Sequence, residues 1–401
     1  MSATQESGGS AKSRALKFVL LVGAMSFFAD FTYEGMRGIA GPYLALLGAS
    51  ATAVGVVSGL GELLGYGLRV VSGRISDRTQ QFWPITIAGY IVQMVAVPSL
   101  ALAGSWPAAA ALIVLERVGK ATRNPPRDVM LSHAAGELGY GWVFGLHEAL
   151  DQVGALSGPL VVAGVLALNG DYHAALAWLA VPAGLTLAVL AIARWAYPRP
   201  EEMAVDPPDV RTEGMPRIFW VYLAAAGLVA VGFADFPLVA FHFGQDAVVS
   251  TAMVPVYYAV AMGVSGLASL VFGRLFDLRG IGILIPLTLM SLFFAPLVFL
   301  GGSGLALLGV ALWGMGMGVH ESIIPAAVAL MVPRERRASA YGLFTAGYGI
   351  AWFAGSAVMG VLYDVAFPAL IVFSVVAELA AIPLLVVVVR SAGSRLRRGS
   401  A

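Results

Sequence analysis

Apolar residues run along this chain in long blocks, separated at short intervals by a few polar residues. Blocks near 17–46, 52–75, 83–104, 107–132, 139–168, 172–197, 216–243, 250–276, 280–301, 304–332, 337–363 and 367–390 are mostly apolar. Each approaches or exceeds the roughly 20 residues a helix needs to cross a bilayer. The pattern predicts twelve transmembrane helices. Most breaks are brief, such as "GAS", "GSWP", "LNGDYH", "GQDA" and "GGSG", but one is long and polar, "PRPEEMAVDPPDVRTEGMPR". It divides the chain into an N-terminal tail (1–16), a six-helix bundle (17–197), a linker (198–215), a second six-helix bundle (216–391) and a C-terminal tail (392–401).

Charge placement supports the even count. Basic residues collect in cytoplasmic loops. If the N-terminus is inside, the inside segments hold Lys12, Arg14, Lys17, Arg74, Arg78, Arg127, Arg199, Arg211, Arg217, Arg274, Arg279, Arg334, Arg336, Arg337, Arg395, Arg397 and Arg398, whereas the outside connections hold no Lys or Arg. Both termini are therefore expected in the cytoplasm, and the protein in a bacterial inner membrane. The polar start followed by an apolar run has the outline of a secretory signal, but comparable runs recur along the whole chain, so the first is read as a retained span.

Composition agrees. Of 401 residues, 59% are hydrophobic and 12% charged, and the formal net charge is +1. Soluble domains carry about 25% charged residues, so lipid must cover much of this surface. The near-zero charge excludes a nucleic-acid partner. The absence of cysteine excludes disulfides and thiol chemistry. No phosphate loop, nucleophile elbow or zinc pair is present, and His147-Glu148 and His320-Glu321 lack the second histidine of a zinc-protease helix. Neither an enzyme, nor a metal site, nor a cofactor is expected.

The two halves repeat each other. "FADF" at 28–31 recurs at 233–236, "GRISD" at 73–77 matches "GRLFD" at 273–277, and "YGWVFGL" before span 5 pairs with "ASAYGLF" before span 11. Gly119 to Pro126 is spaced like Gly318 to Pro325. A six-plus-six repeat places a substrate site near the midplane. On these residues the chain resembles the major facilitator superfamily. The loop motif is Gly73, Arg74, Asp77 and Arg78, with a second copy at Gly273 and Asp277. Arg117, followed by Gly119 and Lys120, is similar to the family's span-4 arginine motif. Gly145, Gly154 and Gly158-Pro159 are similar to its antiporter pattern in span 5. The resemblance implies an all-α membrane protein of two pseudo-symmetric six-helix bundles (the major facilitator fold), alternating access and transport of a small solute. It also implies conformational roles for the loop motifs and the span-5 glycines, and a coupling or anion-binding role for Arg117.

Ionisable groups at bilayer depth are costly and mark candidate sites. Asp30, Glu34 and Arg37 in span 1 share one helix face, and Asp30 lies about 20 Å along the axis from Lys17. Asp30 and Glu34 are candidate proton carriers with Arg37 beside them; the alternative for Glu34 and Arg37 is a structural ion pair. Asp151 in span 5 is a third candidate, with Arg117 as the partner whose charge it trades. Lys120 and Arg123 are read as snorkelling toward the cytoplasm, and Pro125-Pro126 as bending or ending span 4. Substrate contacts are expected from Arg37, Tyr33, Glu62, Tyr66, Glu148, Asp235, His242 and Trp352, although Glu62 also stands where it could pair with Arg69, and His242 near a span end where it could simply be solvated. His320 and Glu321 are candidate gating residues.

The function expected is a monomeric, proton-coupled antiporter exporting a small amphiphilic or drug-like molecule. The alternative is a proton-coupled uptake symporter for an organic anion, held by Arg37, Arg117, Arg123 and His242.

Overall fold

A computed structural model describes residues 3–138, 140–199, 215–332 and 337–399. Most of the expected linker over 198–215 lies outside these residues, as do Arg211, Arg334 and Arg336. Every regular element among the described residues is helical: α1 (Ala3–Arg37), α2 (Ala40–Leu46), α3 (Ala51–Thr79), α4 (Phe82–Ser99), α5 (Trp106–Leu138), α6 (Tyr140–Asn169), α7 (Tyr172–Trp178), α8 (Ala180–Ala196), α9 (Arg217–Gly232), α10 (Phe236–Gln245), α11 (Val254–Arg279), α12 (Leu284–Ser291), α13 (Phe294–Leu300), α14 (Ser303–Gly318), α15 (Ile324–Met331), α16 (Arg337–Val365) and α17 (Phe367–Gly399), with short 3₁₀ turns between some of them.

Among the described residues, ten helical stretches are long and apolar enough to cross a membrane. One of them, Thr251–Leu300, contains two expected spans, α11 and then α12 with α13, separated at Gly280, whose φ of 68° suits glycine. The remaining expected span is α5, whose Glu116, Arg117, Lys120, Arg123, Arg127 and Asp128 lower its apolar character. Large apolar side chains such as Leu102, Leu168, Trp195, Leu270 and Val365 are exposed, as lipid-facing residues are.

The chain forms two compact units. The first comprises 1–37 with 67–208, the second 38–66 with 209–401. Glycines set the closest packing within each. In the first unit, a Cβ on Gly154 or Gly158 of α6 would overlap the carbonyl oxygens of Phe27 and Phe31 on α1, and one on Gly119 of α5 would lie 2.7 Å from Gln93 N on α4. Small residues let helix backbones approach where lipid supplies no hydrophobic drive.

Three helices depart from the sequence expectation. α5 runs through Pro125-Pro126 without ending there. Proline leaves the carbonyl four residues back without a partner, and Ser72 Oγ from α3 donates to Ala121 O at 2.9 Å, so the break is repaired from outside the helix. Span 7, expected as one helix over 216–243, is broken between α9 and α10. Pro237 removes a donor there, and the freed carbonyls are taken by Ser374 Oγ (to Gly232 O, 2.6 Å) and Trp313 Nε1 (to Ala234 O, 2.7 Å). The matching "FADF" of span 1 stays helical inside α1. Span 10 carries a π-helical turn at Val319–Ile323, a feature frequent at functional sites.

In the second unit, α16 holds the start of α3. The Asp364 carboxylate accepts from Ala51 N (3.1 Å), Thr52 N (2.8 Å) and Thr52 Oγ1 (2.6 Å), satisfying donors that a helix N-terminus leaves open. Asp364→Ala is expected to cost about 1 kcal/mol, the usual value of a cap, read as a lowered unfolding midpoint in micelles. Asp364→Asn should cost less, because one side-chain oxygen remains to accept.

Candidate functional site

The polar residues of the first unit converge on Asp30. α1 presents Ser26, Asp30, Tyr33, Glu34 and Arg37 inward, and Asp30, Tyr33, Glu34 and Arg37 are buried despite their polar groups. Arg123 Nη2 of α5 stands 3.6 Å from Asp30 Oδ1. Tyr33 OH donates to Asp30 Oδ2 at 3.2 Å and accepts from Lys120 Nζ, and the ammonium also lies over the Tyr33 ring. Arg123 is fully buried. Its Nε donates to Gln93 Oε1 at 2.6 Å and its Nη1 to Tyr90 OH at 2.8 Å. Gln93 in turn donates to Glu116 Oε1 at 2.8 Å, and Glu116 Oε2 meets Arg117 Nε at 3.4 Å. Gln93 thus links Arg123 to a second carboxylate.

A second branch reaches span 5. Arg127 Nη1 donates to Ser26 Oγ at 3.2 Å, and Ser26 Oγ is hydrogen-bonded to His147 Nε2 at 2.9 Å. His147 Nδ1 lies 3.4 Å from Asp151 Oδ2. Asp151 Oδ1 is buried and without a hydrogen-bond partner. Arg127 itself is clamped by Asp128, with Nε and Nη2 at 2.9 and 2.8 Å from Oδ1. The result is a chain of charges and hydroxyls from spans 1, 3, 4 and 5 inside a helical bundle.

The second unit gathers a different group. Asp235, at the break in span 7, accepts from Trp352 Nε1 (3.0 Å) and Ser356 Oγ (2.8 Å). Phe233 packs against Trp313, His320 and Trp352, with ring centroids 5.5, 4.4 and 5.8 Å away. His320, on the π turn, is hydrogen-bonded through Nδ1 to Tyr348 OH, and Tyr66 meets the Tyr348 ring edge-on at 5.7 Å.

The structure therefore brings Asp30 together with Tyr33, and Asp235 with Trp352. Glu34 and Arg37 are buried on α1, and Glu62 on α3. Glu148 and Glu321 are exposed, Glu148 accepting from Gln152 Nε2 at 2.9 Å. His242 is buried, not solvated: its ring stacks on Phe367 at 5.4 Å and its Nδ1 is 3.1 Å from Tyr363 OH. The loop motif lies at the ends of α3 and α11, with Arg74, Asp77, Arg78 and Asp277 exposed.

Two expectations need correction. Arg117, expected to trade charge with Asp151, meets Glu116, and Arg123 stands beside Asp30. Arg123 and Lys120 do not snorkel; they turn toward α1, because Asp30 and Tyr33 offer a carboxylate and a hydroxyl at their level. Sequence reasoning passed over Tyr90, Gln93 and Ser26, neutral groups that carry no charge signal. It also passed over Glu378, which is fully buried in α17 and is legible as a lone acid within an apolar span.

Comparison with known proteins places this architecture. A family model described as the Major Facilitator Superfamily matches residues 19–356. The chain is 43% identical over 375 residues to an uncharacterized protein of Mycobacterium tuberculosis, covering 92% of both chains. It is 29% identical over 211 residues to the multidrug resistance protein MdtH of Edwardsiella ictaluri, covering 51% of this chain and 49% of that one. Its fold is similar to the crystal structure of a POT family transporter in complex with 5-aminolevulinic acid, with a TM-score of 0.76 at 12% identity, covering 94% and 96% of the two chains. With its helices, its apolar spans and its family match over most of the sequence, the chain is a multi-pass membrane transporter and belongs to the Major Facilitator Superfamily.

Proposed function

We propose that this transporter is a monomeric proton-coupled antiporter that exports a small amphiphilic, drug-like molecule, with both termini on the cytoplasmic side of a bacterial inner membrane. The observation that carries the reading is the buried Asp30–Arg123 pair with Tyr33 and Lys120 around it. A proton on Asp30 cancels its charge, and Arg123 then loses its counter-ion inside an apolar bundle. An unpaired buried charge is strongly unfavourable, so the guanidinium must find another anion or water, and the helices that hold it must shift. Proton and substrate favour opposite access states, and alternating access follows from that competition. The span-5 glycines against α1 and the partial likeness to a multidrug resistance protein support export. The uptake alternative rests on Arg37, Arg117, Arg123 and His242, cations that suit an organic anion.

The test begins with a panel of amphiphilic cations, anions and zwitterions screened by thermal stabilisation, since any molecule that binds the folded state raises the midpoint. The best binder is then followed in proteoliposomes under an imposed pH gradient. The antiporter reading expects flux of the binder against the proton flow, collapse of that flux with a protonophore, and at least a tenfold loss of gradient-driven flux in Asp30→Asn and Asp151→Asn. Wild-type coupled flux in both variants would overturn the assignment. An anion moving with the protons would favour the symporter.

A further inference from the structure

Glu378 sits in the middle of α17 with no exposed surface. Its Oε1 accepts one long hydrogen bond from Ser291 Oγ, at 3.4 Å, and its Oε2 has no hydrogen-bond partner among the described residues. An ionised carboxylate at bilayer depth needs donors or a cation, and one serine hydroxyl does not supply them. The described side chains around it supply no counter-charge. α9 carries Arg217 at its far end and Tyr222, whose hydroxyl donates to Ile324 O. The break carries Asp235, which is held by Trp352 and Ser356. On α16, Tyr348 is bonded to His320, Tyr363 to His242, and Asp364 to the start of α3; Tyr341 lies near its beginning. α12 and α13 carry no titratable residue, and Arg390 is three turns further along α17.

The place is also specific. A Cβ on Gly232, the last residue of α9, would lie 2.9 Å from Glu378 Cγ, so the end of that half-helix rests on this side chain. One turn earlier on α17, Ser374 Oγ holds the Gly232 carbonyl. Ser291 Oγ also borders Gly316, against which the Phe233 ring packs. Glu378 thus stands against Gly232, at the start of the break in span 7, and is bonded to the serine that borders Gly316. We propose that Glu378 is a proton-binding site that controls the break in span 7. The proton is the ligand these contacts favour, because it needs no volume in a tightly packed position. With the proton bound, the neutral acid packs against the end of α9. Without it, a negative charge faces the negative end of the α9 dipole, and the two move apart. The Ser374–Gly232 and Trp313–Ala234 hydrogen bonds are then the first to feel the change. This goes beyond the Asp30 reading and does not depend on it.

The test uses the full chain in lipid nanodiscs, with no substrate. Infrared spectra of the wild type at neutral pH should contain a carboxylic-acid carbonyl band that shifts when glutamate is labelled with ¹³C and vanishes as the pH is raised. Tryptophan fluorescence should step over the same pH range, since Trp313 and Trp352 line the break. Glu378→Gln should lose both the titrating band and the step, whereas Asp30→Asn should keep both, which separates this proposal from the coupling reading. Glu378→Asp should move the midpoint and yield a band indifferent to glutamate labelling. If Glu378→Gln fails to fold, the labelled wild type and Glu378→Asp still decide. Absence of any titrating glutamic-acid band in the wild type, or its persistence with the step in Glu378→Gln, would overturn the proposal, as would an unlabelled-type band and unmoved midpoint in Glu378→Asp.

Discussion

Asp30→Asn should destabilise the folded protein by about 3–5 kcal/mol, the cost of removing one partner from a buried ion pair. The variant leaves the Arg123 guanidinium fully buried, with the neutral Gln93 and Tyr90 as its hydrogen-bond partners among the described residues. Arg123→Gln should cost less, about 3 kcal/mol, the low end of such losses, because Tyr33 still donates to Asp30 and Lys120 still stands behind Tyr33. The double variant should recover most of the loss, since it leaves no orphaned charge. Reversible unfolding in mixed micelles, analysed as a double-mutant cycle, gives the coupling directly. Additive single effects would show that the 3.6 Å approach carries no net interaction, and the ion-pair argument for coupling would fail with it.

Gly158→Val should be at least as damaging. The added side chain meets the Phe31 carbonyl, which is backbone and cannot rotate away, so α1 and α6 must separate. Overpacking costs about 1–3 kcal/mol where neighbours can relax, and here relaxation means moving a helix that carries Asp30. The 2.9 Å contact between Ser26 and His147 crosses the same interface and should be lost as well. Gly145 on the same helix has nothing within reach of a Cβ. Gly145→Ala should therefore be neutral or gain up to about 1 kcal/mol of helix propensity. Expression, melting temperature and coupled flux measured side by side check the contrast. Equal behaviour of the two variants would contradict the close packing of α1 on α6.

The large-scale architecture was legible because it follows from one-dimensional quantities. A helix crossing lipid must satisfy its own backbone and be apolar over about 20 residues, so hydropathy, loop charge and the repeated motifs point to a twelve-span transporter of this family. The same rule marked Asp30, Asp151 and Asp235, since an acid in an apolar span announces itself. Applied evenly it marks Glu378 too. The helix breaks were less legible. Pro125-Pro126 and Pro237 each remove a donor, yet α5 continues and span 7 parts. The difference lies in which neighbour offers a hydrogen bond, Ser72 in one case, Ser374 and Trp313 in the other.

Sequence by itself determined the apolar spans, the family and most of the buried acids, because each depends on residues close together along the chain. Tertiary structure decided the partners. Periodicity puts Arg117 and Arg123 on α5 but does not say which rotates toward α1, and the close approach of helices places Arg123 beside Asp30 with Gln93 and Tyr90 behind it. Neutral hydrogen-bonding residues carry no signature in an apolar span. Their role appears only when three helices bring them to one buried charge, where the cost of leaving it unpaired selects the arrangement.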